Sequence, residues 1–123
     1  MKIRIKGNAV RLRLSKTDLR VLEENKTVTE RTSFGATQLV YELKPVGDCE
    51  TLSANFENNT ITIVIPASFS SVWNANEIVS IDSQQDIGNN ETLYILVEKD
   101  FQCLDKTIED QTDYFINPNT TCK

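Results

Sequence analysis

The sequence contains no histidine, and this absence removes several kinds of active site at once. Histidine is the usual general base near neutral pH and the base of Ser-His-Asp triads, so neither arrangement is available. Only four glycines occur, and none of them forms a glycine-rich loop of the kind that cradles phosphate groups. The composition therefore points away from imidazole-based and nucleotide-dependent enzymes.

Cysteine is also scarce, and an odd number argues against a disulfide framework. The three cysteines are Cys49, Cys103 and Cys122. With no Cys-x-x-Cys pair and no histidine, a zinc site is disfavoured. Cys103 lies between Phe101 and Leu104, and its simplest interpretation is a small buried apolar residue. The alternative is a reactive thiol, which would need cations such as Lys99 and Lys106 nearby.

Long apolar runs are missing, and the charged first residues do not resemble a signal peptide. A chain of 123 residues is long enough to bury a core without metals or disulfides. We therefore expect a soluble, cytoplasmic protein with no membrane partner, folded as a single domain over residues 1–123.

The net charge of −5 is unevenly distributed. Residues 1–31 carry nine Lys or Arg against four acids, a net charge of +5, whereas the remaining residues carry four against fourteen, a net charge of −10. Such polarity predicts either a charged partner or pairing between the two parts of the chain.

The apolar pattern of residues 2–33 returns 51 positions later. The ungapped shift pairs Ile3 with Ala54, Ile5 with Phe56, Val10 with Ile61, Leu12 with Ile63, Leu14 with Ile65 and Leu22 with Trp73. It also gives identities at Asn8/Asn59, Val21/Val72, Asn25/Asn76 and Val28/Val79. This predicts a repeated supersecondary unit, with copies over residues 1–50 and 51–98.

Each copy is expected to fold as strand, strand, helix, strand, strand. In the first copy, Lys2–Lys6 and Val10–Leu14 alternate around the turn Gly7-Asn8 and predict a hairpin. Its inner face would carry Ile3, Ile5, Val10, Leu12 and Leu14. Ser15 followed by Asp18 predicts a helix over Lys16–Glu24. In the second copy, Thr60–Ile65 is the most strand-like run, Pro66 suits the first helical position, and Trp73 is expected in the core.

Eight strands with one apolar face each favour a closed sheet, because closure removes exposed edges. We therefore predict an α+β, mainly β fold: a closed or nearly closed, cradle-loop-like barrel with two short helices. Residues 99–123 lack periodicity but contain apolar anchors, and they are expected to form an extended C-terminal strap.

Two resemblances follow from particular segments. Residues 5–14 resemble the start of the swapped-hairpin barrel domains of transition-state regulators and some antitoxins, and residues 63–81 are similar to a later part of that pattern. This resemblance implies a barrel and DNA binding, with both halves here in one chain. Residues 2–8, 97–105 and 109–118 resemble a bacterial family of uncharacterised small proteins, which implies no activity.

Alternating cations on the predicted hairpin form the first candidate site. They are Lys2, Arg4, Lys6, Arg11 and Arg13. Three interpretations stay open: a solvated outer face, pairing with the acidic C-terminal segment, or contact with nucleic acid or another partner. No aromatic residue interleaves with these cations in the sequence, which disfavours stacking on single-stranded nucleic acid.

The second candidate site is a carboxylate cluster of the kind that Ca²⁺ or Mg²⁺ binds. It consists of Glu98, Asp100, Asp105, Glu109, Asp110 and Asp113. Its spacing matches no calcium loop, and the simpler interpretation is repulsion relieved by Lys99, Lys106 and solvent. The expected function is a non-enzymatic binding or accessory module without a cofactor, either a monomeric pseudo-dimer or a homodimer. The alternative is a small metal- or ligand-dependent enzyme that uses these carboxylates.

Overall fold

The computed structural model describes residues 1–101 and residue 115. The elements are β1 (Lys2–Lys6), β2 (Ala9–Leu14), α1 (Lys16–Glu23), β3 (Val28–Ser33), β4 (Gln38–Val46), β5 (Ser53–Glu57), β6 (Thr60–Pro66), α2 (Ala67–Trp73), β7 (Ser80–Gly88) and β8 (Glu91–Lys99). The mainly β composition and the two short helices confirm that part of the prediction. The assignment of all 123 residues to one domain, and the C-terminal strap beyond residue 101, stay predictions.

The strands form two four-stranded sheets, and each sheet takes one hairpin from each half of the chain. The first sheet has the order β1-β2-β8-β7 and the second has the order β3-β4-β6-β5. All hairpin pairs are antiparallel, whereas the central pairs β2–β8 and β4–β6 are parallel. Exchanging β1–β4 with β5–β8 converts one strand order into the other, so the two sheets have the same topology.

The two parallel pairs also begin in the same way. The amide N of Tyr94 donates to the carbonyl O of Asn8 at 3.1 Å, and the amide N of Val40 donates to the carbonyl O of Asn59 at 3.0 Å. Asn8 and Asn59 are 51 positions apart and stand directly before β2 and β6. The central strands Val10–Leu14 and Ile61–Ile65 therefore occupy equivalent places in their sheets.

The prediction of a closed or nearly closed barrel is wrong, because the two sheets are separate. Where β5 and β7 approach each other, side chains take the place of a backbone ladder. The Gln85 amide accepts from the Ala54 N at 2.7 Å and donates to the Ala54 O at 3.1 Å, and the Ser83 hydroxyl donates to the Leu52 O at 2.8 Å. A side chain inserted between two strands holds them farther apart than the roughly 4.8 Å of a ladder.

The core lies between the sheets and extends under the helices. Its largest members are Trp73, Leu12, Leu14, Leu22, Leu43, Leu52, Ile63, Ile65, Ile95 and Val97. Trp73 is fully buried, as predicted, and its indole N–H donates to the Ile78 carbonyl at 2.7 Å. The helices pack on each other, and Asn74 Nδ2 donates to Glu23 Oε2 at 3.2 Å across their ends.

Two local predictions need correction. Ile5 has the inward parity that alternation predicts, but its side chain is 57% exposed because it lies beside the hairpin turn. Pro66 closes β6 and precedes α2 with an extended ψ of 125°, so it is not the first helical residue. The last hairpin turns at Asn89-Asn90, whose φ values of 54° and 60° place both residues in the left-handed region.

The α-amino group of Met1 joins β1 to α1 and β3. It lies 2.9 Å from Asp18 Oδ2 and 2.9 Å from Glu30 Oε2. Asp18 also completes the predicted start of α1: its carboxylate accepts from the Ser15 N at 2.9 Å, and its own N donates to the Ser15 hydroxyl at 3.2 Å. The Asp18 carboxylate therefore caps helix α1 and also binds the Met1 ammonium group.

These contacts lower the pKa of Asp18 and raise the pKa of the Met1 amino group. Burial acts to raise the pKa of Asp18, but the hydrogen bond from the Ser15 amide and the contact with the Met1 ammonium outweigh it, so the pKa lies below 3.8. Burial acts to lower the pKa of the Met1 amino group, but hydrogen bonds to Glu30 and Asp18 outweigh it, so the pKa lies above 8.0. Both charged forms are therefore stabilised by folding.

The burial pattern of the first hairpin predicts unequal costs for two truncations on one face. Leu12→Ala removes a side chain with no solvent exposure and is expected to lower the free energy of unfolding by about 2–5 kcal/mol. Ile5→Ala, the matched control on the same face, is expected to cost less than about 1 kcal/mol. Urea unfolding monitored by Trp73 fluorescence measures both, and equal costs would contradict the placement of Ile5 at an open end.

Asp18→Asn is expected to lower the free energy of unfolding at pH 6 by about 1–3 kcal/mol, because it removes a charged, hydrogen-bonded partner. The Asp18 contribution is complete above its unfolded pKa of 3.8 and is lost as the pH falls through the lower folded value. The Met1 contribution is complete below 8.0 and is lost as the pH rises through the higher folded value.

Urea midpoints across the acid range test the Asp18 prediction on a chain with a C-terminal tag, which leaves the Met1 amino group free. Glu24→Gln, an exposed change of the same charge at the opposite end of the same helix, is the control. An acid profile of Asp18→Asn that coincides with the wild-type profile would contradict the assigned role.

Candidate functional site

The five predicted cations lie together on the outer face of the β1–β2 hairpin, and we refer to Lys2, Arg4, Lys6, Arg11 and Arg13 as the basic face. The antiparallel register places Lys2 opposite Arg13 and Arg4 opposite Arg11, while Lys6 stands beside the turn. Alternation along each strand therefore brings all five side chains to the same side of the first sheet. Four are exposed and Arg11 is half-buried.

Ion pairs divide the basic face into two parts. Lys2 Nζ lies 3.1 Å from Asp100 Oδ2, and Arg13 Nε donates to Glu98 Oε1 at 2.7 Å. Arg13 and Glu98 are partners in the parallel β2–β8 register, which explains their contact. Within residues 1–101, the three remaining cations of the face form no ion pair. Positive charge is therefore concentrated toward the hairpin turn.

Strand β8 adds an aromatic residue that the sequence pattern did not place near these cations. Tyr94 is the register partner of Ala9, one alternate position from Arg11 on the same face. Its hydroxyl donates to Asp82 Oδ2 at 2.8 Å, and this bond and burial raise the pKa of Tyr94, while the Arg11 charge acts in the opposite direction. Only the parallel β2–β8 pairing, which joins residues 85 apart, could have revealed this neighbour.

The outer face of the first sheet changes sign from one edge to the other. Beyond β8, strand β7 presents Asp82, Gln84 and Asp86 on the side that Arg11 occupies on β2. Carboxylates therefore border the basic face on β7, and Glu98 and Asp100 border it near the helices. Arg4, Lys6 and Arg11 form a strip that is two strands wide, or roughly 10 Å including the side chains.

The predicted carboxylate cluster is only partly within the described chain. Glu98 and Asp100 are engaged with Arg13 and Lys2, whereas Asp105, Glu109, Asp110 and Asp113 lie outside the described residues. Among the described residues, no group of three or more acidic, cysteine or histidine side chains is arranged to hold a metal ion. The structure therefore provides no metal geometry from which the alternative enzyme could be argued.

The predicted reactive thiol, Cys103, and Cys122 also lie outside the described residues. Cys49 is described, and it is a half-buried free thiol whose Sγ lies 3.7 Å from the Val46 carbonyl O. Burial, followed by the negative charge of Asp48, raises the pKa of the Cys49 thiol. A raised pKa lowers the thiolate fraction, so Cys49 has the character of a structural cysteine.

One cavity of about 190 Å³ lies beside the helices. Its lining residues are Leu14, Lys16, Leu19, Asn74, Lys99, Asp100 and Phe101. Lys99 Nζ donates to the Asn76 carbonyl at 2.7 Å and lies 6.0 Å from the centre of the Trp73 ring, so its charge is already engaged. The volume is below the roughly 300–1,000 Å³ of small-molecule sites. The basic face is therefore the stronger candidate.

No helix in the described part of the chain has the length and apolar character needed to span a membrane. Comparison with curated proteins and with solved structures finds no match, so neither supports the swapped-hairpin resemblance. Comparison with protein families finds one described as a family of unknown function, DUF7009, over residues 1–119. Because this match covers nearly the whole sequence, the chain belongs to the DUF7009 family of unknown function.

Proposed function

We propose that this protein is a non-enzymatic binding module and that its basic face binds an acidic segment of a protein partner. The observation that carries the proposal is the division of that face. Lys2 and Arg13 are neutralised by carboxylates, whereas Arg4, Lys6 and Arg11 form no ion pair within residues 1–101. Three neighbouring cations on a hairpin whose backbone is held in the sheet add their charges at one place, and this attracts a ligand that carries several carboxylates.

The borders of the basic face favour a narrow ligand over a wide one. An extended acidic peptide can follow β1 and β2 without meeting the carboxylates of β7. A DNA duplex is about twice as wide as the two-stranded strip, and its phosphates would approach Asp82 and Asp86 on the same face. The net charge of −5 adds a general repulsion toward nucleic acid.

Nucleic acid is the second candidate, and one observation favours it. Tyr94 lies beside Arg11 on the outer face, which gives the cations an aromatic neighbour on which a base could stack. Its hydroxyl is already bonded to Asp82, so the ring is held in place. The variant and the control described next distinguish the two candidates, because both are measured with an acidic peptide and with DNA.

Arg4→Glu combined with Arg11→Glu is expected to weaken binding of a fluorescein-labelled poly-glutamate peptide at least about tenfold at low salt. The reason is that two unpaired cations become like charges to the ligand. Fluorescence anisotropy of the full chain measures the affinity, and a salt series should show a steep loss of binding in the wild type.

Lys26→Glu combined with Lys44→Glu is the matched control, since it makes the same change in net charge at exposed positions away from the basic face. It is expected to retain nearly wild-type affinity. If the wild type binds no poly-glutamate at low salt, or if both double variants lose affinity equally, the proposal is wrong. Stronger binding of a DNA oligonucleotide with the same dependence on Arg4 and Arg11 would select the second candidate.

A further inference from the structure

The four hairpin turns lie at the end of the molecule opposite the helices. In the first sheet the parallel pairing of β2 with β8 brings the turns Gly7-Asn8 and Asn89-Asn90 to one end, and Asn8 Nδ2 donates to the Thr92 carbonyl at 2.7 Å. In the second sheet the parallel pairing of β4 with β6 does the same for residues 34–37 and 58–59.

The two sheets share this end because their neighbouring edge strands run in the same direction. Ser83 bonds to Leu52, and Gln85, two residues later on β7, bonds to Ala54, two residues later than Leu52, so β7 and β5 run in the same direction. Two residues farther along each strand stand Ile87 and Phe56, next to the turns. On the opposite edge, the contact of Met1 with Glu30 fixes the start of β1 beside β3, and four residues farther stand Ile5 and Phe34.

All four of these apolar side chains are exposed, and we refer to Ile5, Phe34, Phe56 and Ile87 as the apolar rim. Their exposed fractions are 57%, 72%, 66% and 45%. Ile5 and Phe56 are equivalent under the shift of 51 positions, and Phe34 and Ile87 each precede a glycine with a φ near 90° (Gly35 at 91° and Gly88 at 92°). Large apolar groups gathered at one end of a molecule mark an interaction surface.

The charges around the apolar rim separate into two halves. Lys6 and Arg31 are exposed beside Ile5 and Phe34, whereas Glu57, Asp86 and Glu91 are exposed beside Phe56 and Ile87. Lys6 and Glu57 occupy equivalent positions under the shift of 51 and carry opposite charges. Among the described residues, and apart from Glu30, which binds the Met1 amino group, no acid lies in the basic half, and no Lys or Arg lies in the acidic half.

We propose that the apolar rim is the interface with a second copy of this chain in a twofold homodimer. A twofold axis through the rim sets the basic half of one copy against the acidic half of the other, twice in the same interface. The apolar pair at each edge of one copy then packs on the apolar pair at the other edge of its partner, with complementary charges beside both. This inference goes beyond the proposed function: the interface shares Lys6 with the basic face, whereas Arg4 and Arg11, the residues that test peptide binding, stay outside it.

Sedimentation equilibrium of the full chain from about 1 µM to about 1 mM tests the dimer first, a range that covers weak and moderately tight association. Ile5→Ser combined with Phe56→Ser is expected to raise the dissociation constant at least about tenfold. Val72→Ser combined with Val79→Ser, which changes two exposed apolar residues away from the turns, is the control and should leave it unchanged. A wild type that stays monomeric over the whole range overturns the proposal.

A charge exchange tests the orientation of the two copies. Lys6→Glu with Arg31→Glu makes both halves of the rim acidic, and Glu57→Lys with Asp86→Lys makes both halves basic. Neither variant should self-associate, whereas an equimolar mixture should form a heterodimer with an affinity within about tenfold of the wild-type homodimer. Circular dichroism and urea midpoints like those of the wild type establish that both variants fold. Two folded variants that fail to associate when mixed, or that still self-associate, overturn the twofold arrangement.

Discussion

The structure depends on two parallel strand pairs, β2 with β8 and β4 with β6, which join the halves of the chain. Each sheet contains one hairpin from residues 1–50 and one from residues 51–99, so neither half has a complete sheet without the other. The buried face of β2 illustrates this dependence: Leu12 stands beside Val97 of β8, and both have no solvent exposure. The two halves of the chain therefore share one core, and removing either half would disrupt both sheets.

Much of the local structure could be predicted from the sequence, because it depends on neighbours in the chain. The alternation of Lys2–Lys6 gave the first strand and its two faces, and the pairing of Ser15 with Asp18 gave the helix start. The closed barrel was wrong because closure depends on how edge strands meet. No local pattern shows that Gln85 and Ser83 would replace a ladder with side-chain hydrogen bonds. Alternation predicted that Ile5 lies on the inner face of β1, but it could not predict that this position, beside the turn, is exposed.

The candidate site was also predictable only where it depends on neighbours in the chain. The hairpin pattern placed five cations on one face, whereas their division required partners that lie far along the chain. Arg13 meets Glu98 across 85 residues, and Tyr94 reaches Arg11 through the same strand pair. Electrostatic neighbours of this kind follow from strand order, which a single sequence specifies only weakly. Pairing with the acidic C-terminal segment was one of the interpretations left open: Lys2 meets Asp100 of that segment, whereas Arg13 meets Glu98 of β8.

The parallel pairs also have unequal separations along the chain, and this sets an order of assembly during synthesis. The second sheet needs only residues 28–66, because β4 and β6 are separated by about 20 residues. In the first sheet, β2 leaves the ribosome with β1 as its neighbour and waits for β8, whose residues come 85 positions after their partners in β2. Distant contacts form slowly because a long loop must close first. We therefore expect the inner edge of β2 to be the last part of the nascent chain to be covered, and the part most exposed to chaperones.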